Sequence, residues 1–364
     1  MRITVLGGGN GSLAAAGDFA LSGHEVTLWR RGEADIARHR ETNNTITVRD
    51  KSGTREAALT RVTSRIDEAL ADSELIFCPA PATAHEDIAR VVAPHLRSGQ
   101  VIFMPPGTLG TMIFARAAKE AGTVEGVAFA ESGTLPWLVR KHGFAEVLIT
   151  TRATRLPTGV FPLTLADHAI EVTSRAFPGV IELCGDAVSG ALMNAGPIIH
   201  PPLIIMNASP LEHFPAWDIH NEGTQPSVRR VTDQLDAERI RVREALGYGE
   251  PHFPLANHYN TEGEEWMYGH RSHGDLKDSG DWREKIVLTE HRYMMEDVRL
   301  GLSLLVSLAE LAGVDVPIMR GLLGIGSAIC GEDFATNGRP LAKVGLGDMD
   351  RAALQSFLQK GYDA

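Results

Sequence analysis

Cysteine is scarce in this chain. Of its 364 residues three are cysteines, Cys78, Cys184 and Cys330, far apart and without a CxxC pair. Neither a disulfide framework nor a cysteine zinc site can be built from them, and a reducing cytoplasm fits. Long apolar runs are missing as well. The most apolar stretch, Ala191 to Ala208, is broken by Asn194, His200 and three prolines, whereas a bilayer span needs about 18 uninterrupted apolar residues, so no membrane segment is expected. Positive charge is in deficit: 35 Lys and Arg stand against 46 Asp and Glu, a net charge of −11. That balance opposes binding to a phosphate backbone and leaves small molecules or proteins, not nucleic acid, as partners. Internal repeats and low-complexity segments are also lacking.

The remainder has globular composition, 43% hydrophobic and 22% charged. The length exceeds one ordinary core and suits two domains of about 150 to 200 residues each. Arg2, the apolar residues after it and Ala14-Ala15-Ala16 give the N-terminus a superficial likeness to a signal peptide, but glycines interrupt the apolar region. It reads instead as a strand and a turn.

Up to about Cys184, short β-rich runs alternate with helical stretches. The runs are Ile3–Leu6, Glu25–Trp29, Leu75–Cys78, Val101–Met104 and Val127–Phe129, a pattern that predicts a parallel sheet with crossover helices. Between Ile46 and Thr60 two polar-alternating runs flank Asp50-Lys51-Ser52-Gly53 and predict a hairpin-like insertion. Glu146–Thr150 and Val180–Leu183 add strands, so the first domain should hold a mixed sheet. After Cys184 helical spacing takes over, as in Gln234–Leu246 and Arg299–Ala312. The glycine-rich, charged stretch Thr261–Trp282 reads as a long loop. The expected fold is therefore α/β, a Rossmann-type dinucleotide-binding domain over residues 1–184 followed by an all-helical second domain over 185–364.

Gly7-Gly8-Gly9-Asn10-Gly11-Ser12 follows the first strand directly and opens a helix, the context a dinucleotide fingerprint requires. Gly7 and Gly9 permit the tight turn and the approach of backbone N–H groups to a pyrophosphate at the helix N-terminus. Asn10 and Gly11 complete the turn. Ser12 replaces the third small residue, and its hydroxyl could donate to phosphate. The second strand ends Trp29-Arg30-Arg31, without the carboxylate that would accept from a ribose 2′-OH. Two guanidinium groups there suit a 2′-phosphate, which favours NADP(H) over NAD(H), although arginines at strand ends are often merely solvent-facing.

Three further blocks follow in order: Asn194-Ala195-Gly196-Pro197-Ile198-Ile199-His200-Pro201, Asp236-Ala237-Glu238-Arg239 and Arg292-Tyr293-Met294-Met295-Glu296-Asp297-Val298. With the glycine turn they resemble the octopine/nopaline (opine) dehydrogenase family over essentially the whole chain, closest to bacterial members that join 2-oxo acids to amino acids. Two departures stand out: Arg30 where NAD-using relatives carry an acidic residue, and Met294-Met295 where an aromatic pair is usual. The resemblance implies a Rossmann-type domain, a helical domain and a cleft between them. It also implies reductive condensation of a 2-oxo acid with an amino acid or amine. His200 would be the catalytic acid/base, Asp297 its orienting carboxylate and Arg292 the binder of a substrate carboxylate.

On the residues alone His200 reads as a satisfied histidine in an apolar stretch, with Pro197 and Pro201-Pro202 breaking regular helix around it. Arg292 and Glu296, four apart, could form an ordinary helix-surface ion pair. Arg292 and Asp297, five apart, lie about 140° apart on an ideal α-helix, so both face one pocket only if Arg292 sits at or before the helix start. Asn194 and Asn207 could contact substrate or merely satisfy backbone at bends, and Gln225-Pro226-Ser227 offers weaker polar contacts. Ala80, Pro81 and Glu131 follow strands at their carboxyl ends, where nucleotides bind. His270, Arg271 and His273 share HxxH spacing without a third ligand, so a solvated loop is expected there and no metal. Two competing functions remain: an imine or 2-oxo acid reductase acting on a single substrate, and a nucleotide-binding sensor without catalysis. The apolar faces of the helical domain could support a homodimer.

Overall fold

The computed structural model describes residues 1–270 and 272–362; Arg271 lies outside the described residues. The chain forms two compact units. One comprises Met1–Ala80, Ala84–Gly190 and the residues from Leu358 onward; the other comprises Pro81–Thr83 and Ala191–Phe357.

In the first unit β1 (Arg2–Leu6), α1 (Asn10–Leu21), β2 (Glu25–Trp29) and α2 (Glu33–Glu41) open an alternation of strand and helix. A hairpin, β3 (Thr45–Asp50) and β4 (Gly53–Ala58), interrupts it before β5 (Arg61–Thr63), α3 (Ile66–Leu70), β6 (Leu75–Phe77), α4 (His85–Val92), β7 (Val101–Met104), α5 (Gly110–Ala121) and β8 (Ala128–Ser132). Then come β9 (Trp137–Gly143), β10 (Glu146–Arg152), β11 (Leu156–Phe161), α6 (Ala166–Ala176), β12 (Ile181–Asp186) and α7 (Ala187–Ala191). The main sheet runs β12-β11-β8-β7-β6-β1-β2-β5 and is parallel except where β11 meets β8. From β5 to β8 this is the Rossmann strand order, with its reversal between β1 and β6. The central strands are buried along their whole length, which is why they read as unbroken apolar runs.

The hairpin pairs with β10 to give a second sheet, β4-β3-β10-β9. Gly17 of α1 lets that sheet approach: a Cβ there would strike Val48. Aromatic residues make up 6% of the sequence, yet Phe19, Phe77, Phe103, Trp137 and Phe177 gather into one cluster. Phe19 meets Phe77 and Phe177 edge-to-face, each at 5.3 Å between centroids, a geometry that adds to the burial of these large rings.

The second unit carries α8 (Gly196–Ile205), α9 (Ala208–His213), β13 (Trp217–Asp218), α10 (Pro226–Leu246), α11 (Ser272–Asp278) and β14 (Arg283–Glu284). A ten-residue π-helix, Tyr293–Leu302, runs directly into α12 (Ser303–Ala312), followed by α13 (Pro317–Cys330), α14 (Phe334–Asn337) and α15 (Arg351–Lys360). Among the described residues its regular elements are helices apart from the two-residue pairing of β13 with β14. Ala187–Ile205 has the length and hydropathy of a membrane span, but 78% of it is buried inside the protein, as in a core helix. The buried Asp236-Ala237-Glu238-Arg239 block is a brace on α10. Arg239 pairs with Asp236 and donates to Leu192 O, Asp236 accepts from Leu255 N at 2.6 Å, and Glu238 takes the first N–H groups of α13.

Two expectations are corrected. Pro201 and Pro202 lie inside α8 and do not break it. Proline removes an N–H but keeps a helical φ, and the packing of this buried helix outweighs the lost bonds. The stretch Thr261–Trp282 is not all loop, because α11 forms within it around the buried Ser272 and Leu276.

Candidate active site

The glycine turn occupies the carboxyl end of β1. Gly7 has φ +99°, a conformation only glycine adopts without strain, and its N–H donates to Trp29 O at 3.0 Å. The space a Gly8 Cβ would need is filled by the Arg30 guanidinium, and Gly9 faces open space. Arg30 is ion-paired with Asp35, while its Nη1 is buried without a hydrogen-bond partner. Arg31 is exposed. Asn10 Oδ1 accepts from Lys141 N at 3.0 Å, tying the start of α1 to β9. The Ser12 hydroxyl does not point to a phosphate position; it donates to Leu6 O at 2.9 Å.

Near Arg30, the Phe144 ring gathers further cations. The Arg38 guanidinium lies 3.8 Å from the ring centroid, Lys141 Nζ 5.7 Å and Arg30 itself 5.8 Å. Their mutual repulsion is visible in neighbouring groups. Burial, Arg30 and Arg38 lower the Lys141 ammonium, with Asp35 opposing. Burial, together with Arg30, Lys141 and Arg38, takes the His39 imidazole down to about 4, again against Asp35. A glycine cradle at a helix N-terminus, an orphaned guanidinium nitrogen and unneutralised cations are the donor set that a dinucleotide's phosphates require.

The second constellation lies wholly in the helical unit. His200 stands on α8 and Asp297 on the π-helix, and the His200 Nδ1–H donates to Asp297 Oδ2 at 2.7 Å. Two glycines allow the helices to close so far: a Cβ at Gly196 would collide with Asp297 Oδ1, and one at Gly301 with the Pro197 ring. Tyr293 stacks on the imidazole at 3.8 Å and 16°, and Arg292 lies 5.0 Å from the Tyr293 centroid. The angular problem between Arg292 and Asp297 is solved twice over. Arg292 is the N-cap, before the helix start, and i→i+5 bonding brings residues five apart back to nearly one face.

Burial and the Arg292 charge hold the His200 imidazole well below its ordinary value, hence neutral. Burial raises the Asp297 carboxyl to about 7, with Arg292 opposing. Arg292 keeps solvent-accessible surface although protein packs closely around it. Burial works against its charge, but Tyr293, Glu296 and Asp297 more than offset that and raise it. His200 Nε2 makes no hydrogen bond to the described residues, which leaves an oriented base with one nitrogen available.

The structure thus brings His200, Asp297 and Arg292 together. It places Asn194 beside them in a backbone role, its Oδ1 accepting from Gly196 N at 3.0 Å. Asn207 holds Leu203 O, Gly223 O and Trp217 Nε1. Glu131 is fully buried and binds Leu109 N, Thr111 N and the Thr111 hydroxyl. Ala80 O lies 3.2 Å from His85 Nε2, and Pro81 is exposed.

Sequence reasoning missed three participants: Tyr293, Glu296 and Arg339. Glu296 makes no surface pair with Arg292. Its carboxyl accepts from Ala82 N at 2.8 Å, while Arg339 donates to Ala82 O at 2.6 Å. Burial and Asp297 push Glu296 up to about 7, against Arg292. The adjacent pair Glu296-Asp297 was the only signal in the sequence, and adjacency alone does not distinguish a buried acid from an exposed one.

Known proteins resemble this chain in sequence and in fold. The family model for the alpha-helical domain of NAD/NADP octopine/nopaline dehydrogenase matches residues 183–330. An opine dehydrogenase from Arthrobacter sp. (strain 1C) is 26% identical, covering 98% of each chain. An octopine dehydrogenase solved with NADH and agmatine superposes with a TM-score of 0.74 at 17% identity, over 100% of this chain and 99% of that one. A yersinopine dehydrogenase solved with NADP+ gives 0.67 at 14%, over 99% and 98%. Residues 183–330 therefore match the alpha-helical domain of the octopine/nopaline dehydrogenases, and over almost its whole length the chain is similar to opine dehydrogenases, NAD(P)-dependent dehydrogenases acting on CH–NH bonds.

Proposed function

We propose that the protein condenses a 2-oxo acid with an amino acid or amine and reduces the resulting imine, with NADP(H) preferred over NAD(H). The observation that carries this reading is the 2.7 Å His200–Asp297 pair with Nε2 left unengaged. In this reaction His200 Nε2 takes a proton from the incoming ammonium as its nitrogen attacks the keto carbon. Asp297 accepts from Nδ1–H throughout, fixing the tautomer and stabilising the charged ring. His200 then returns the proton to the carbinolamine hydroxyl, which leaves as water. Arg292 binds the 2-oxo acid's carboxylate beside the imidazole. Bound NAD(P)H supplies the hydride to the imine carbon. The cofactor preference rests on Arg30 with Arg38 and Lys141 around Phe144; Arg31, exposed, adds charge at the rim.

The test is oxidation of NADPH and NADH at 340 nm by the purified protein. Pyruvate, glyoxylate and 2-oxoglutarate are crossed with amino acids and simple amines, and each component is also assayed alone. Oxidation that needs both organic components is expected. Turnover with one component would make the protein a reductase of a single substrate. Cofactor binding without turnover across the matrix would favour the sensor.

A further inference from the structure

Thr108 and Leu109 stand consecutively at φ +50° and +57° between β7 and α5. Neither is a glycine, and left-handed backbone in two successive side-chain-bearing residues persists only where the surroundings enforce it. The enforcing group here is Glu131, at the carboxyl end of the neighbouring strand β8. Its two carboxylate oxygens are 3.0 Å from Leu109 N, 3.3 Å from Thr111 N and 3.1 Å from the Thr111 hydroxyl. Gly107 gives it room, since a Cβ there would overlap the carboxylate. On the other side of the turn, Gly110 leaves space for the buried His85 ring, whose Nε2 lies 3.2 Å from Ala80 O in the loop after β6. One buried bracket therefore fixes the loops at the carboxyl ends of β6 and β7.

In the Rossmann order those two strands belong to the second mononucleotide half, beyond the reversal between β1 and β6. We propose that Glu131 is a positioning residue whose buried carboxylate holds the strained β7–α5 turn in the backbone conformation that receives the nicotinamide half of the dinucleotide. This rests on the reading that the first unit binds NAD(P)H. Glu131 itself does not touch the cofactor; it acts through the turn.

A comparison of two ligands tests the proposal. NADPH contains the nicotinamide half, whereas 2′-phospho-ADP-ribose lacks it. In Glu131→Gln, NADPH affinity from fluorescence titration should fall about tenfold, the scale of a hydrogen bond lost to a charged group. The emission change of the reduced nicotinamide on binding should shrink with it. Affinity for 2′-phospho-ADP-ribose, measured by calorimetry, should stay within about twofold, since the glycine turn is untouched. Thr111→Val, which removes one of the three bonds, should give a smaller effect in the same direction, and carries the test if Glu131→Gln does not fold. Equal weakening of both ligands, or none of either, would overturn the proposal, because Glu131 would then only support the fold. Wild-type protein that binds neither ligand would overturn the dinucleotide reading itself.

Discussion

Asp297 is buried, carries a carboxyl raised to about 7 by that burial, and accepts the Nδ1–H of His200. In the proposed reaction only the ionised form is a full acceptor for the imidazole as it becomes charged. Activity should therefore fall as pH drops through about 7. Asp297→Asn keeps the shape and removes the anion, so kcat should drop about 10³- to 10⁴-fold and this limb of the pH profile should vanish. Stability runs in the opposite sense. A raised carboxyl binds a proton in the folded state that the unfolded chain has already released, so its contribution is complete below the ordinary value of 3.8 and is lost as pH rises through about 7. Thermal melting should accordingly show Asp297→Asn gaining on the wild type between pH 5 and pH 8. A variant with wild-type turnover and an unchanged pH limb would remove Asp297 from the mechanism.

The two elements that carry the pair, α8 and the π-helix, meet at glycines. At Gly196 any Cβ would strike Asp297 Oδ1, so Gly196→Ala should displace the carboxylate and lower kcat about 100-fold, the effect of a misplacement near 1 Å. Gly321 in α13 is the control, because nothing lies within 4 Å of a Cβ built there. Gly321→Ala should leave turnover unchanged and stabilise the helix by about 0.5–1 kcal/mol. Unchanged turnover in Gly196→Ala would show that helix α8 tolerates the methyl, and equal losses in both variants would show that the Asp297 contact is not what the methyl disturbs.

Much at this scale was legible in the sequence. The runs Leu75–Cys78 and Val101–Met104 read as strands because burial on both faces permits no polar residue. The Asp50–Gly53 turn read as a hairpin because β3 alternates under one covered face. Other features left no trace. A π-helix has the composition of an α-helix, so Arg292 to Val298 could not reveal i→i+5 bonding. Pro201 and Pro202 argued against a helix that tertiary packing nevertheless completes. Ser12 reads from the sequence as part of the turn that opens the first helix and Glu131 as a strand-end residue, but the direction of a side chain depends on neighbours such as Leu6 O and Thr111, which the local sequence does not specify.

For the molecule as a whole, a net charge of −11 repels an anionic dinucleotide, and the field must be reversed locally if NADPH is to bind. Arg30, Arg38 and Lys141 do this around Phe144, with Asp35 the acid paired among them. A 2′-phosphate adds charge that NADH lacks, so discrimination between the cofactors should reside in this cluster and weaken with salt. The double variant Arg38→Ala/Lys141→Ala removes two cations and spares the Arg30–Asp35 pair and the glycine turn. Its kcat/KM for NADPH should fall about tenfold or more, on the scale of a lost charge-assisted contact, while that for NADH changes little. The salt dependence of NADPH binding should flatten in parallel. A loss shared equally by both cofactors would mean that these side chains support the inserted sheet and do not select the phosphate, and cofactor choice would then rest on Arg30 and Arg31 alone.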